Sequence, residues 1–134
     1  MNKLDLEKFI QNMTDKTNKS EIEWHRVPFM YAGSIVDRLS LENIRESFYS
    51  DGKTGRVVIG KYLTKIYYED DEFIEEHFFL TLTDTKFKNP ITFSESDDEI
   101  PDSFNFSFPL ALSKLHRLIQ INTNDVKNRL DNFF

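Results

Sequence analysis

A single α+β domain is the fold this 134-residue sequence predicts: an antiparallel sheet of about four to five strands flanked by N-terminal and C-terminal helices. Three observations carry that expectation. The length suits one domain, and a chain of this size buries roughly two-thirds of the surface its unfolded form exposes. Residues 56–68 and 73–83 are rich in β-branched and aromatic side chains and are bounded by turn signals. The two ends of the chain instead repeat their apolar residues at helical spacing.

Taken in order, Leu6, Phe9, Ile10 and Met13 predict an amphipathic helix over residues 3–14, with Asn2 as its cap. Asp15 to Ser20 is a polar connector. Residues 21–31 alternate loosely around Trp24, Val27 and Tyr31, which predicts a strand interrupted or ended at Pro28. Ser40 reads as the cap of a second short helix carrying Leu41, Ile44 and Phe48 on one face. Asp51-Gly52-Lys53-Thr54-Gly55 is a turn.

Two long strands come next. The first holds five β-branched residues and three tyrosines; the second sets Ile74, Phe78, Leu80 and Leu82 on one face. Glu69-Asp70-Asp71-Glu72 joins them, so the pair is expected to form a hairpin with an acidic tip. Pro90 precedes a short strand at Ile91–Phe93, and Ser94 to Asp102 is a second acidic loop. Phe104 to Phe108 alternates like a strand. Beyond Pro109, Leu110, Leu112, Leu115, Leu118 and Ile119 mark a helix that breaks near Asn122–Asn124 and resumes to Leu130.

Charge is unevenly placed. Between Glu69 and Asp102 lie twelve carboxylates and two lysines, a balance of −10, while the other hundred residues sum to +4. Such a field attracts basic partners and repels nucleic acid and anionic membranes. The candidate partner-binding residues are therefore Glu69, Asp70, Asp71, Glu72, Glu75 and Glu76, with Glu95, Asp97, Asp98, Glu99 and Asp102. Twelve carboxylates match the charge of roughly 20 Å of duplex DNA, which carries one charge per ~1.7 Å of axis. Nucleic-acid mimicry on that scale requires the two acidic segments to converge on one face.

Other chemistry is not expected. Cysteine is absent, which removes thiolate chemistry and disulfides and leans towards a reducing, cytoplasmic setting. The first residues lack a signal-peptide pattern, and the longest apolar runs are too short to span a bilayer. Gly52-Lys53-Thr54 lacks the upstream glycine of a phosphate-binding loop, since position 47 is serine. His25, His77 and His116 share no turn and no metal spacing; Glu75 stands two residues before His77 on one strand face, but a surface histidine in a charged strand is the expected reading over a carboxylate–imidazole contact. Neither acidic run has the ligand alternation and central glycine of a calcium loop. We expect no catalytic residue, metal or cofactor. Phe104, Phe106 and Phe108 read as core rather than as a stacking platform, because a strongly acidic loop precedes them.

The functional expectation is a non-enzymatic acidic protein that occludes a basic surface of a nuclease, toxin or nucleic-acid-binding protein. The abundance of residues with A/T-rich codons (thirteen Phe, eleven Lys, ten Asn) against four Gly and two Ala points to an AT-rich gene. In size, acidity and coding the chain resembles phage or mobile-element inhibitors of nucleases and immunity proteins that neutralise toxins. The alternative is a structural or assembly subunit that self-associates through its apolar strand and the terminal Phe133 and Phe134, a homodimer being the simplest form.

Overall fold

The computed structural model describes residues 5–36, 43–94 and 106–134. Helix α1 runs Leu6–Asn18 and strand β1 is only His25–Arg26, followed by a 3-10 turn at Phe29–Tyr31. Strands β2 (Ile44–Asp51), β3 (Arg56–Tyr68), β4 (Asp71–Thr83) and β5 (Ile91–Ser94) follow, then helices α2 (Phe108–Thr123) and α3 (Val126–Asp131). The strands form one sheet in the order β1-β2-β3-β4-β5, every neighbour antiparallel. The α+β expectation holds.

The sheet is covered on both faces. On the first face, Phe48, Ile59, Leu80 and Phe93 pack against Leu6 and Ile10 of α1 and Leu112, Leu115 and Ile119 of α2. On the second, Val58, Tyr62 and Phe79 pack against Ile35, Val36 and Phe87. Each fully covered aliphatic or aromatic side chain contributes about 1.5–3 kcal/mol, so these two clusters supply the main stabilisation. Gly60 sits directly opposite Phe79, and a Cβ there would overlap the Phe79 ring and the Ser47 hydroxyl. The missing side chain leaves room for the Phe79 ring against β3.

Five sequence expectations need correction. The polar connector expected from Asp15 is helical as far as Asn18, the last residue of α1. Asn2 lies outside the described residues; α1 is capped by Asp5, whose Oδ1 accepts the Lys8 N–H at 3.0 Å. The strand expected over 21–31 is reduced to β1, because Trp24 turns inward to donate its indole N–H to Thr17 Oγ1 at 2.9 Å. The second helix expected through Ile44 and Phe48 is strand β2; pairing of Phe48 with Ile59 and Tyr49 with Val58 overrides the helical spacing. Its expected cap and first residue, Ser40 and Leu41, lie outside the described residues. Phe108 opens α2 rather than ending a strand: Ser107 Oγ accepts the Leu110 N–H, and Pro109 suits the first turn, where its missing N–H costs nothing. Phe106 makes an isolated bridge and is buried with Phe108, whereas Phe104 lies outside the described residues. The predicted interruption between α2 and α3 is present at Asn124–Asp125.

Among the described residues no helix is long and apolar enough to cross a membrane.

A candidate interaction site on the β3–β4 arm

Strands β3 and β4 are each 13 residues long, whereas β2 has eight and β5 four. The ladder of β2 on β3 reaches as far as Ile44 opposite Tyr62, and that of β5 on β4 as far as Ser94 opposite Phe79. The β3–β4 ladder continues through Lys65 opposite Ile74 and Ile66 opposite Phe73 to Tyr68 opposite Asp71. Among the described residues the distal part of the hairpin is therefore a two-stranded arm that projects from the sheet. From Asp71 to His77 it rises about 20 Å at ~3.3 Å per residue.

Alternation assigns each arm residue to a face. Lys65, Tyr67, Glu72, Ile74 and Glu76 continue the first, helix-covered face of the sheet. Thr64, Ile66, Tyr68, Asp71, Phe73 and Glu75 continue the second. Ile74, Phe78, Leu80 and Leu82 do share one face as expected, but only Phe78 and Leu80 belong to the core, and Ile74 and Leu82 are exposed.

The tip is tighter than expected. Only Glu69 and Asp70 form the turn, because Asp71 and Glu72 already pair within β4. Glu69 adopts φ 57°, in the left-handed region where glycine and asparagine are the favoured residues.

The carboxylates of the arm fall into two groups. Glu76 lies 3.3 Å from Lys61 Nζ, Glu72 lies 3.3 Å from Lys65 Nζ, and Glu75 lies 3.5 Å from His77 Nε2. His77 also contacts Thr64 Oγ1 at 3.0 Å and stacks on Tyr62. Glu69, Asp70 and Asp71 at the tip have no ion-pair partner among the described residues. The arm's net charge thus concentrates at its end. Its six carboxylates fall well short of the density of duplex DNA, which over 20 Å carries about twelve charges. Glu95, Asp97, Asp98, Glu99 and Asp102 lie outside the described residues, and convergence of the second acidic segment with the arm lies there too.

What sequence reasoning missed is the apolar half of the arm. Tyr67 and Tyr68 are 70% and 68% exposed, Phe73 and Ile74 52% and 62%, and Ile66 39%. The signal was present: Tyr67-Tyr68 and Phe73-Ile74 are adjacent apolar pairs, and adjacent strand residues point to opposite faces. In mid-strand such pairs, Val57-Val58 and Phe79-Leu80, are buried in the two clusters; beside the acidic turn the same pattern falls outside both.

The remaining candidates have structural roles. His116 is buried on α2 between the rings of Phe48 and Phe78, with Nε2 3.0 Å from the Glu46 carbonyl oxygen. Burial holds its pKa below the ordinary histidine value, against the opposing pull of the Glu46 hydrogen bond. Burial raises the Glu46 carboxyl, but hydrogen bonds from Gln120 and Arg26 and the Arg26 charge more than offset it, and its pKa is lowered. Glu46 thus ties β2 to β1 through Arg26, 3.0 Å away, and to α2 through Gln120. Asp84 is lowered by backbone N–H groups of Lys88 and Lys86, which it accepts at 2.9 and 2.8 Å across the β4–β5 loop. A concavity of about 490 Å³ lies beside Val27, Phe29, Ile35 and Ile44, and Arg26 and Glu46 in its wall pair with each other. Gly52-Lys53-Thr54 connects strand to strand, not strand to helix. Among the described residues no three His, Asp or Glu side chains gather in a metal-binding arrangement.

No family model, curated protein or solved structure matches the chain.

Proposed function

We propose that this chain is a small non-enzymatic acidic binding protein of the inhibitor type, which occludes a basic surface of a nuclease, toxin or nucleic-acid-binding protein in the cytoplasm. The observation that carries this reading is the arm: exposed tyrosine, phenylalanine and isoleucine side chains interleaved with carboxylates on a projecting hairpin. Interfaces draw their affinity from a few aromatic anchors, and charge complementarity sets encounter rate and specificity. The arm carries both kinds of group. Glu69 adds weight, because a carboxylate occupies the one tip position where backbone energetics favour glycine or asparagine. The low charge count of the arm argues for anchored docking over duplex mimicry by the arm alone.

The test is affinity capture along a rising salt gradient, comparing the native chain with one in which Asp70, Asp71, Glu72, Asp97, Asp98 and Glu99 become Asn or Gln. A basic partner released at moderate salt from the native chain, and not retained by the neutralised one, is the expected result. Equal retention by both sinks the acidic reading.

One observation favours self-association as a second reading. Leu130, Phe133 and Phe134 are exposed, and the two terminal rings pack edge to face 5.0 Å apart. That reading predicts a dimer in sedimentation that persists at high salt and dissociates when Phe133 and Phe134 are removed.

A further inference from the structure

We infer that the partner meets the arm with an amphipathic basic helix laid along the second face of the β3–β4 ribbon. This rests on the acidic-binding reading and adds the form of the partner. The two faces of the arm differ in a way that selects one of them. On the first, Lys65 and Lys61 already pair with Glu72 and Glu76, so an incoming cation gains little there. On the second, Ile66 and Phe73 stand directly opposite each other with Tyr68 beyond them, and along the arm, residues 64–77, no lysine or arginine shares that face. Asp71 and Glu75, both on β4, line one flank of this apolar floor; Asp71 has no ion-pair partner among the described residues, and Glu75 has only the His77 ring, 3.5 Å away.

Charge decides between occupants. A second copy packed face to face brings no lysine or arginine to Asp71 and Glu75, because none of the arm's own lies on this face. Nucleic acid is repelled outright. A partner with an apolar stripe and cations along one flank satisfies both features. The shape fits a helix: the floor is two strands wide, ~5 Å between strand axes, and one helix of ~10 Å diameter covers it. Its ~20 Å length accommodates about 13 helical residues at 1.5 Å each. Asp71 and Glu75 are about 13 Å apart along β4, so their cations sit roughly nine residues apart on the helix.

The experiment titrates isotope-labelled full-length protein with a helical peptide of about 14 residues carrying a leucine stripe and one lysine flank. A second peptide has the same composition in shuffled order. The patterned peptide is expected to bind at least about tenfold more tightly than the shuffled one, with amide shifts centred on Ile66, Tyr68 and Phe73. Ile66→Thr and Phe73→Thr, which preserve strand propensity, should each weaken it about fivefold or more, and Tyr67→Thr on the other face should leave it unchanged. Equal binding of the two peptides, or shifts centred on Tyr67 and Ile74, overturns the helix inference; salt-sensitive binding of both would leave the acidic reading standing. Failure of both peptides to bind at low salt overturns the two together.

Discussion

Replacing residues 65–74 by Asn-Gly removes the arm and should leave the body of the protein almost as stable as before. The exchange is geometrically mild. Thr64 faces Glu75 across the ladder, four positions from Tyr68 and Asp71, the pair that flanks the present turn. Because ladder pairs alternate in type every residue, a shift of four restores the same kind of closing pair. The energetic ledger is local. Four cross-strand pairs are lost, at about 0.2–1 kcal/mol each. Ten ordered residues are also released, and an isolated two-stranded hairpin is marginal at best in water. None of residues 65–74 belongs to either buried cluster. The net change should lie within about 1 kcal/mol of zero. Urea unfolding followed by far-UV circular dichroism measures it. A loss of about 3 kcal/mol or more would mean the arm supports the core, and the argument that it is a projection built for contact would fail.

Other positions give sharper numbers. Leu115→Ala, at a site with no exposed surface beneath α2, should cost about 2–5 kcal/mol in the same unfolding assay. Glu69→Gly should raise stability by up to about 1 kcal/mol through relief of the left-handed backbone, while weakening capture of a basic partner. For His116 the folded pKa is depressed, so the unfolded state takes up the proton first. Stability from this group is therefore full above the unfolded pKa near 6.5 and lost as pH falls through the lower folded value, with a slope of at most about 1.4 kcal/mol per pH unit. His116→Gln should flatten that slope between pH 7 and 5, and an unchanged profile would contradict the assignment. Glu46, also depressed, acts in a lower window: its contribution is present above the ordinary carboxylate range and disappears as pH falls through its folded value.

The sequence disclosed local features well and long-range ones poorly. The β3–β4 hairpin and the break between α2 and α3 follow from turn residues and periodicity that act within a few positions. β2 did not, because Ile44 and Phe48 have helical spacing and only their pairing with β3, a contact distant in the chain, makes them a strand. His116 was readable as core, since it extends the stripe of Leu112, Leu115 and Ile119 on α2. For the candidate site, the acidic tip was legible as a run of like charge. The arm was not, because its projection depends on where β2 and β5 stop: the last ladder partners are Ile44 and Ser94. Nothing local to residues 65–74 encodes the length of their neighbours. The adjacent apolar pairs at Tyr67-Tyr68 and Phe73-Ile74 were the visible trace of it.

The most direct measurement of the docking role compares the native chain with the protein whose residues 65–74 are replaced by Asn-Gly, as baits in quantitative capture from the native host lysate. A basic protein, eluting at moderate salt from the native bait, should be lost from the shortened one while the two baits differ in stability by no more than about 1 kcal/mol. Recovery of that protein in equal amount on the shortened bait would contradict the docking role.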